Sequence, residues 1–376
     1  MSKPSRIRVL EKGVVNGFRT GVSLHCHTQH SKEVLDFIPY YAERIPLIAS
    51  HYRVACARYR QLNGKAMNFA DAYWTPPLAA RKVYELEKEQ IENLLDARAL
   101  ISITDHDTIE SATRLHALEE YKTIPVSLEW TVPFGEAYVH LGVHNLPPEF
   151  ATQIMNALAD YTANPLAERL GELLAMLNDL PTVLMVFNHP FWDIECIGQE
   201  RHNILMKAFL IEHGRQIHAL EINGFRPSLE NSQTIKLAEQ WGYPVISGGD
   251  RHGCAANTTL NLTNALNFDE FVDEIRRDKH SEILLTAHHQ ENVYLRMLEA
   301  ASDVVRYYAD HPLGRRHWTE RVFIKGDSGD RPLSYYWKDG EPAWVKLPLW
   351  MMRILGSRRL RPAMRLVMNR SEEVAF

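Results

Sequence analysis

Histidine and carboxylate residues stand at or near the ends of short apolar runs along the first two thirds of the chain. Leu24 is followed by His25 and His27, and a later apolar run leads into Asp250 and His252. Along a strand, residues i and i+2 point to the same face, so each pair presents two ligand atoms on one side. Imidazole and carboxylate groups without thiolates favour zinc, manganese or iron over an iron–sulfur cluster. The spacing therefore predicts a metal site.

Further residues of this kind lie in or after five other apolar runs. They are Asp105, His106 and Asp107 after ALISIT, Glu129 in IPVSLEW, His140 in AYVHLGV, Asn188 and His189 after TVLMVF, and Glu221 and Asn223 in or after IHALEI. A lone histidine in a strand is more often a core or rim residue than a ligand, and an HxH pair alone is a weak motif. Six histidines and two carboxylates over six strand ends are hard to obtain by chance, which favours the metal site.

Seven apolar runs alternate with helix-like segments between residues 21 and 253. The runs are GVSL, ALISIT, IPVSLEW, AYVHLGV, TVLMVF, IHALEI and YPVIS, and the amphipathic stretches include Leu78–Ala97, Pro165–Leu177 and Glu230–Trp241. This alternation predicts βα units and a parallel sheet. Seven units in one stretch favour an α/β fold with a closed or nearly closed barrel over a doubly wound sheet. Active-site residues of such barrels come from the C-terminal ends of several strands.

Composition narrows the function further. The 376 residues are 45% hydrophobic and 24% charged, as in globular proteins, with a net charge of −5. We expect no stable binding of duplex nucleic acid, although a small phosphorylated substrate can still enter a local pocket. Residues 1–10 contain no apolar run long enough for a secretory signal, and no run approaches the ~20 apolar residues of a membrane span, so we expect neither. The scattered Cys26, Cys56, Cys196 and Cys254 form no CxxC pair, which favours a cytoplasmic enzyme.

The order of the polar segments resembles that of the polymerase-and-histidinol-phosphatase (PHP) domain family of metal-dependent phosphoesterases. The matching segments are LHCHT at Leu24–Thr28, ITDHDT at Ile103–Thr108, SLEW at Ser127–Trp130, VHLG at Val139–Gly142, NHP at Asn188–Pro190 and GGDRH at Gly248–His252. The match covers about residues 21–285, and TDHD combined with DxH is its specific part. The resemblance implies a distorted seven-stranded (β/α) barrel, related to the TIM barrel, that binds two or three divalent metal ions (Mn, Fe or Zn) and cleaves phosphoesters.

The resemblance also implies a set of metal ligands. They are His25, His27, His106, Glu129, His140, His189, Asp250 and His252. Glu129 would bridge two ions. One ion would also take His25, His27 and Asp250, and the other would take His140 and His189. His106 and His252 would hold a third ion.

One position departs from the family pattern. Many members carry an aspartate five residues after the second histidine of HxH, where this chain has Lys32. Three explanations stay open. Glu33 replaces the aspartate as a ligand, the third ion is weak or absent, or Lys32 takes the position of its charge and contacts the phosphate. We slightly favour Glu33.

The expected mechanism is in-line attack on phosphorus by a hydroxide that bridges two metal ions, without a covalent enzyme intermediate. Asp107 follows a ligand histidine and can orient it or accept a proton. An equal alternative is that Asp107 caps the helix that starts near Thr108. Arg226 and Arg251 are candidate phosphate contacts, because the planar guanidinium suits phosphate oxygens.

The sequence divides into three segments, and the second of them carries an insertion. Residues 1–20 form an N-terminal segment, residues 21–285 the PHP-like barrel, and residues 286–376 a C-terminal extension with helices and a hairpin. An insertion at 37–74, rich in tyrosine and arginine, either caps the catalytic face and stacks on a base or packs as a helical hairpin on the barrel flank. The basic amphipathic end at 350–370 can contact a membrane surface, but packing on the protein itself or on a second subunit is favoured.

Three function classes stay open. The leading one is a phosphoesterase for a phosphomonoester or phosphodiester, and the insertion mildly favours a nucleotide or short oligonucleotide. A metal-dependent amidohydrolase is the enzyme alternative, although TDHD, Glu129 and the closing DxH count against it. A degenerate metal-binding domain with a structural or regulatory role is the third class, supported only by Lys32.

Overall fold

The computed structural model describes residues 5–9, 17–35, 37–44, 46–64, 66–327, 329–357, 359–360 and 362–363. It is a mixed α/β structure. Its strands are β1 (Ser5–Val9), β2 (Thr20–Ser23), β3 (Glu33–Val34), β4 (Ala72–Trp74), β5 (Arg98–Ile101), β6 (Val126–Phe134), β7 (Ala137–Leu146), β8 (Leu184–Phe187), β9 (Ala219–Asn223), β10 (Val245–Gly248), β11 (Thr259–Thr263), β12 (Ser281–Leu285), β13 (Val322–Ile324) and β14 (Arg331–Pro332).

The helices lie between these strands and in the C-terminal extension. They are α1 (Phe37–Arg44), α2 (Pro46–Asn63), α3 (Ala80–Leu95), α4 (Glu110–Leu115), α5 (Ala151–Ala163), α6 (Ala167–Asp179), α7 (Gln199–His213), α8 (Ser228–Trp241), α9 (Phe268–Arg276), α10 (Val293–Val304), α11 (Leu333–Tyr336) and α12 (Ala343–Leu355). The seven predicted runs form β2 and β5 to β10, and the three amphipathic stretches form α3, α6 and α8. None of the helices that the described ranges contain is long and apolar enough to cross a bilayer.

The strands form two five-stranded sheets, β1-β12-β11-β2-β5 and β10-β9-β8-β7-β6. The prediction of a parallel arrangement is wrong for β7, which runs antiparallel to both β6 and β8. The reason is the two-residue loop of Gly135 and Glu136, which is long enough for a hairpin but not for a crossover. Gly135 has a φ of +62°, a conformation that such hairpin turns require and that glycine adopts without strain.

The two sheets approach each other at two seams, formed by residues that follow β2, β5 and β10 and by a residue within β6. One seam is a parallel bridge between His106 and Glu129, and the other is a parallel bridge between Cys26 and Arg251. Backbone hydrogen bonds of 2.7 to 3.2 Å flank both bridges. The described strands do not form one closed sheet, so the seven-stranded barrel stays a prediction. One seam consists of two predicted ligands and the other lies directly next to predicted ligands, so the predicted site lies where the two sheets meet.

Helices cover the outer faces of both sheets. In α6, Leu170, Leu173, Leu174 and Leu177 follow the i, i+3, i+4, i+7 spacing of an amphipathic helix, and all four are buried. The largest buried cluster packs such helix faces against β6 to β9. The largest part of the hydrophobic core therefore lies between β6 to β9 and their covering helices, and a second buried cluster joins Val22 and Leu24 to Val186 and Ile246 of the other sheet.

The N-terminal segment, the insertion and the C-terminal extension all contribute strands. β1 pairs with β12, and β4 from the insertion pairs with β3 and with β13 to give a third sheet of order β14-β13-β4-β3. The predicted basic stretch 350–370 begins within α12, but residues 358, 361 and 364–370 lie outside the described residues. Its contact with a membrane surface stays a prediction, as do the proposed domain boundaries.

A buried ion pair supports the seam at Arg251. Its Nε lies 2.5 Å from Oε1 of Glu87 on α3, and the two side chains are 2% and 0% exposed. Gln90 accepts a hydrogen bond of 2.7 Å from the same guanidinium, and Asn257 donates one of 2.6 Å to Glu87. The pair therefore ties the C-terminal end of β10 to the helix that packs on β2 and β5.

We expect Glu87→Ala to lower the free energy of unfolding by about 3–5 kcal/mol, because it leaves the buried Arg251 charge without its partner. Urea denaturation measures this change. The matched control is Glu85→Ala, which removes an exposed partner of Arg81 on the same helix and is expected to cost about 0–1 kcal/mol. Equal losses in the two variants would contradict the role of the buried pair.

Candidate metal centre

The carboxylate of Glu129 on β6 lies at the centre of a buried cluster of imidazoles. Its Oε2 faces three rings and its Oε1 faces two others. The distances are 2.9 Å to Nε2 of His25, 3.4 Å to Nε2 of His27, 3.3 Å to Nε2 of His106, 3.2 Å to Nδ1 of His140 and 3.2 Å to Nε2 of His189. All five are predicted ligands. The two oxygens of one carboxylate therefore serve two different groups of rings.

Two further carboxylates complete the cluster. Glu33 lies 3.6 Å from His27, 3.4 Å from His106 and 3.2 Å from His252. Asp250 lies 3.6 Å from His25, 3.4 Å from His27 and 3.5 Å from His252. The structure thus brings all eight ligands implied by the family resemblance together with Glu33, the residue that we favoured for the altered position.

The backbone of the cluster bends where the strands end. His25, Asp107, His189 and Asp250 have positive φ angles of 67°, 52°, 28° and 52°. Residues other than glycine rarely adopt this region, and strain of this kind concentrates at functional sites. The bends turn side chains from both sheets toward Glu129. In particular, His25 and His27 both aim Nε2 at its Oε2, as their spacing predicts.

Several polar residues hold the ligands in place, and we did not include them among the predicted site residues. Oε2 of Glu221 lies 2.7 Å from Nδ1 of His25, on the opposite side of the ring from Glu129. Asn188 donates a hydrogen bond of 2.9 Å to Glu129. Asn223 donates to Glu221 at 2.8 Å and to Asp250 at 3.2 Å. The signal in the sequence was the i, i+2 spacing of Glu221 and Asn223, which repeats the pattern of the ligand pairs.

Gly248 at the end of β10 makes room for Glu221. A Cβ at this position would overlap the Glu221 carboxylate. The glycine therefore allows the carboxylate to reach His25, which lies on the neighbouring strand end. Partners of this kind fix the orientation of a ligand imidazole and raise its basicity.

The two aspartates of the TDHD segment have different roles. Asp105 accepts hydrogen bonds from the backbone of Thr28 at 2.5 Å and from its hydroxyl at 2.9 Å, which fixes the loop after HxH. Asp107 accepts a hydrogen bond of 2.8 Å from the backbone of Thr131 instead of capping α4. Burial raises the pKa of Asp107 to about 6 against the opposing effect of His106. Its role as an orienting group or proton acceptor stays a prediction.

The structure does not bring Arg251 or Lys32 to the cluster, so the expected phosphate contacts of both need correction. Arg251 turns away because its guanidinium pairs with Glu87. Lys32 precedes β3, and its Nζ lies 3.9 Å from Asp330. The lysine side chain is 64% exposed.

Arg226 lies at the edge of the cluster. Its guanidinium pairs with both oxygens of Glu230, at 2.8 and 2.9 Å, and stacks 4.6 Å above the ring of Trp192. That ring contacts the ring of His189, with 4.9 Å between the centroids. Arg226 is therefore separated from the ligands by one aromatic side chain, and its role in substrate binding stays a prediction.

Burial and neighbouring charge act in opposite directions on the titratable groups. Burial lowers the pKa of His140 to about 4 despite the nearby Glu129. Burial also acts to lower the pKa of His106, but Glu129 and Glu33 raise it to about 10. The pKa of Glu129 is held well below its usual range because His25, His106 and His140 outweigh the effect of burial. The low pKa keeps the central carboxylate ionised, and the imidazoles around it are groups that can bind a proton or a metal ion.

The cluster fits divalent metal ions. Two ligands on one ion with bonds of about 2.1 Å lie roughly 3.0–3.4 Å apart, close to the nitrogen–oxygen distances given above. Among the described residues, buried Nε2 of His27, Nδ1 of His140 and Oε1 of Glu33 have no hydrogen-bond partner. Four groups of three side chains can each hold an ion: His25, His27 and Glu129; His25, His189 and Asp250; His27, Glu33 and His252; and His106, Glu129 and His140.

These groups differ in part from the partition that the resemblance implies. His106 lies with Glu129 and His140, and His189 lies with His25 and Asp250. His27 and Glu33 accompany His252 in the place expected for a third ion. The implied ligands therefore do surround Glu129, but the structure groups His106 and His189 differently from the partition that the resemblance implies.

The chain matches no known protein-family description and no curated protein sequence. Among solved structures it is similar to a candidate metal-dependent phosphoesterase from Bifidobacterium adolescentis, with 15% identity and a TM-score of 0.33 over 55% of this chain and 92% of the other. It is also similar to an amidohydrolase from Chromobacterium violaceum with bound sulfate and no metal, with 14% identity and a TM-score of 0.33 over 47% and 83% of the two chains. A likeness at this level identifies no family.

We expect Glu221→Gln to weaken divalent metal binding by about 10- to 100-fold, because the variant loses the charge that orients and polarises His25. Competition with a chromophoric chelator for Mn²⁺ or Zn²⁺ measures the affinity. The control is Glu282→Gln, which changes a buried carboxylate on β12 of the other sheet, where it pairs with Arg8. Wild-type affinity in Glu221→Gln would refute the supporting role of this residue.

Proposed function

We propose that the chain is a metal-dependent phosphoesterase that hydrolyses a phosphomonoester or phosphodiester. The observation that carries this proposal is the position of Glu129, whose two oxygens face different groups of imidazoles at 2.9 to 3.4 Å. A carboxylate in this position suits a bridge between two ions. Paired ions about 3.5–4 Å apart supply an activated water and stabilise the leaving oxygen in such hydrolases.

In this proposal the cluster holds up to three divalent ions, with manganese, iron and zinc as candidates. Glu129 would link an ion near His25 and Asp250 to a second ion near His140. The third ion would take His27, Glu33 and His252, which lie together in the structure. The mixture of imidazole and carboxylate ligands suits all three metals.

The balance of charge favours an anionic substrate over a neutral amide. Four carboxylates face the imidazoles directly: Glu33, Glu129 and Asp250 among the candidate ligands, and Glu221 behind His25. Two divalent ions would balance their combined charge and a third would outweigh it, so the site loaded with three ions would be positive when the imidazoles are neutral. A positive site attracts a phosphate group and stabilises the charge that develops on its oxygens.

The chain's own residues would act around this centre. The Trp192 ring and the Arg226 guanidinium stacked on it form one wall of the site, at which Arg226 can bind a second anionic group of the substrate. Asp107 would hold His106 in its position or take up a proton, which its raised pKa of about 6 permits near neutral pH. We also propose that β2 and β5 to β10 act as a distorted barrel, open at the two seams.

A screen of the manganese-supplemented protein against phosphomonoesters, nucleotides, phosphodiesters and amides tests the proposal. We expect turnover of at least one phosphoester, its loss on chelation, and a decrease of more than about 100-fold in Glu129→Gln, because the bridging charge is removed. Glu282→Gln is the control for a buried carboxylate outside the cluster. Turnover of amides alone would indicate an amidohydrolase, and metal-loaded protein without any turnover would indicate a degenerate domain.

We expect the wild-type chain to bind three ions and Glu33→Gln to bind two, because the amide cannot replace the carboxylate between His27 and His252. Elemental analysis after dialysis against a buffered metal solution measures the number. Glu110→Gln is the control, since Glu110 contacts His30 near the cluster but no ligand. A count of two ions that Glu33→Gln leaves unchanged would exclude the third site.

A further inference from the structure

The sheet β14-β13-β4-β3 joins the C-terminal extension to the metal cluster. Its edge strand, β3, contains only Glu33 and Val34, and it pairs with β4 so that Glu33 lies opposite Trp74. β4 pairs in turn with β13, where Trp74 lies opposite Val322. Isolated pairs of such short strands are marginal in water, so β3 and β4 depend on the strands next to them.

The inner face of this sheet looks onto the cluster. Residues directly opposite each other in an antiparallel pair point to the same side, so Glu33 and Trp74 share this face. Glu33 reaches His252 at 3.2 Å, and the Trp74 ring lies 5.6 Å from the ring of the same histidine. The sheet therefore places both a carboxylate and an aromatic wall beside one group of ligands.

The outer face is fixed by contacts with the C-terminal extension. Tyr73 stacks on Phe323 with 5.2 Å between the centroids and 16° between the planes, and both residues are buried. The Tyr73 hydroxyl donates a hydrogen bond of 2.8 Å to Asp330. Lys32 lies over the same ring, with Nζ 4.9 Å from its centroid and 3.9 Å from Asp330.

These outer contacts determine which residue faces the metal cluster. Successive residues of an extended strand point to opposite faces, so Lys32 and Glu33 cannot both point inward. Tyr73 and Asp330 attract the lysine to the outer face. Glu33 is consequently directed toward His27 and His252.

Arg321 anchors β13 to the rest of the extension. The arginine is 1% exposed and donates hydrogen bonds of 2.6 to 2.9 Å to four carbonyl groups. They belong to Val304, Arg306, Arg315 and Arg316. The backbone N–H of Thr75 donates to the Arg321 carbonyl at 2.8 Å, which continues the connection to β4. A rigid path thus leads from α10 through β13 and β4 to Glu33.

We propose that β13 and β14 of the C-terminal extension are the positioning element of the ion held by His27, Glu33 and His252. The inference rests on the proposed metal centre. In this arrangement Phe323, Tyr73 and Asp330 are positioning residues, which act on the ion through Glu33. The ions bound next to Glu129 do not depend on them, because their other ligands lie on β6 and β7 or follow β2, β5, β8 and β10, outside the sheet β14-β13-β4-β3.

The test measures metal occupancy in Phe323→Ala over a series of buffered Mn²⁺ concentrations. We expect at least a tenfold weaker affinity for one ion and less than a twofold change for the other two. The control is Phe209→Ala, which removes a fully buried aromatic ring from α7. That variant is expected to lose stability but to retain all three ions. Phe323→Tyr, which keeps a stacked ring, is expected to restore the third ion.

A double variant separates positioning from a general loss of stability. Glu33→Gln already removes the ion, so adding Phe323→Ala should cause no further loss of metal. If Phe323→Ala does not fold, the surface pair Lys32→Ala and Asp330→Ala takes its place, with an expected loss of at least threefold in affinity for that ion alone.

Three results would overturn the inference. They are three ions at wild-type affinity in Phe323→Ala or its replacement, an equal loss at every ion, and a wild-type chain that holds only two ions. Failure of the proposed function gives a different result. A wild-type chain that binds three ions and loses one in Phe323→Ala, but hydrolyses no phosphoester, would support the inference and refute the activity.

Discussion

The burial of the Glu129 carboxylate is the constraint on which the rest of the site depends. An ionised carboxylate removed from water costs several kcal/mol unless positive charge and hydrogen bonds offset the loss of hydration. Five imidazoles and the Asn188 amide surround it at 2.9 to 3.4 Å. These groups come from strand ends of both sheets, so Glu129 stabilises the seams as well as the site. Protons or metal ions must occupy the cluster for this arrangement to be stable.

The geometry at the seams follows from this requirement. Regular strand pairing would point alternate side chains away from the cluster. Here single bridges, together with backbone bends at His25, His189 and Asp250, turn the ends of β2, β8 and β10 inward. Left-handed backbone at such residues costs of order 1–3 kcal/mol each. The buried helices behind the strands and the Glu87–Arg251 pair hold the bends in place. The two sheets therefore stay separate at the seams, because the residues there bring many ligands to one carboxylate instead of pairing regularly.

The sequence predicts those features that depend on local spacing. All seven strands of the pattern, the convergence of His25 and His27 on Glu129 and the presence of Glu33 near the cluster are found in the structure. The two histidines follow β2, and His25 reaches Glu129 through a backbone bend that the spacing does not predict. The antiparallel β7 follows from a loop length that we did not weigh. The directions of Arg251 and Lys32 depend on Glu87 and Asp330, which lie far away in the chain. A local sequence pattern cannot predict these directions, because the packing of α3 and of the C-terminal extension places Glu87 and Asp330 beside the two side chains.

Carboxylate partners also limit which cationic side chains can bind an anionic substrate. Arg226, Arg251 and Lys32 are the cationic side chains that the sequence suggested for phosphate binding, and each pairs with a carboxylate of its own. A phosphate would have to compete with Glu230 for Arg226, and it cannot reach Arg251 without breaking a buried pair. Positive charge for the substrate must therefore come mainly from ions in the cluster. Binding of the phosphate and activation of water would then depend on the same ions, so the metal-free chain should have little affinity for either substrate or product.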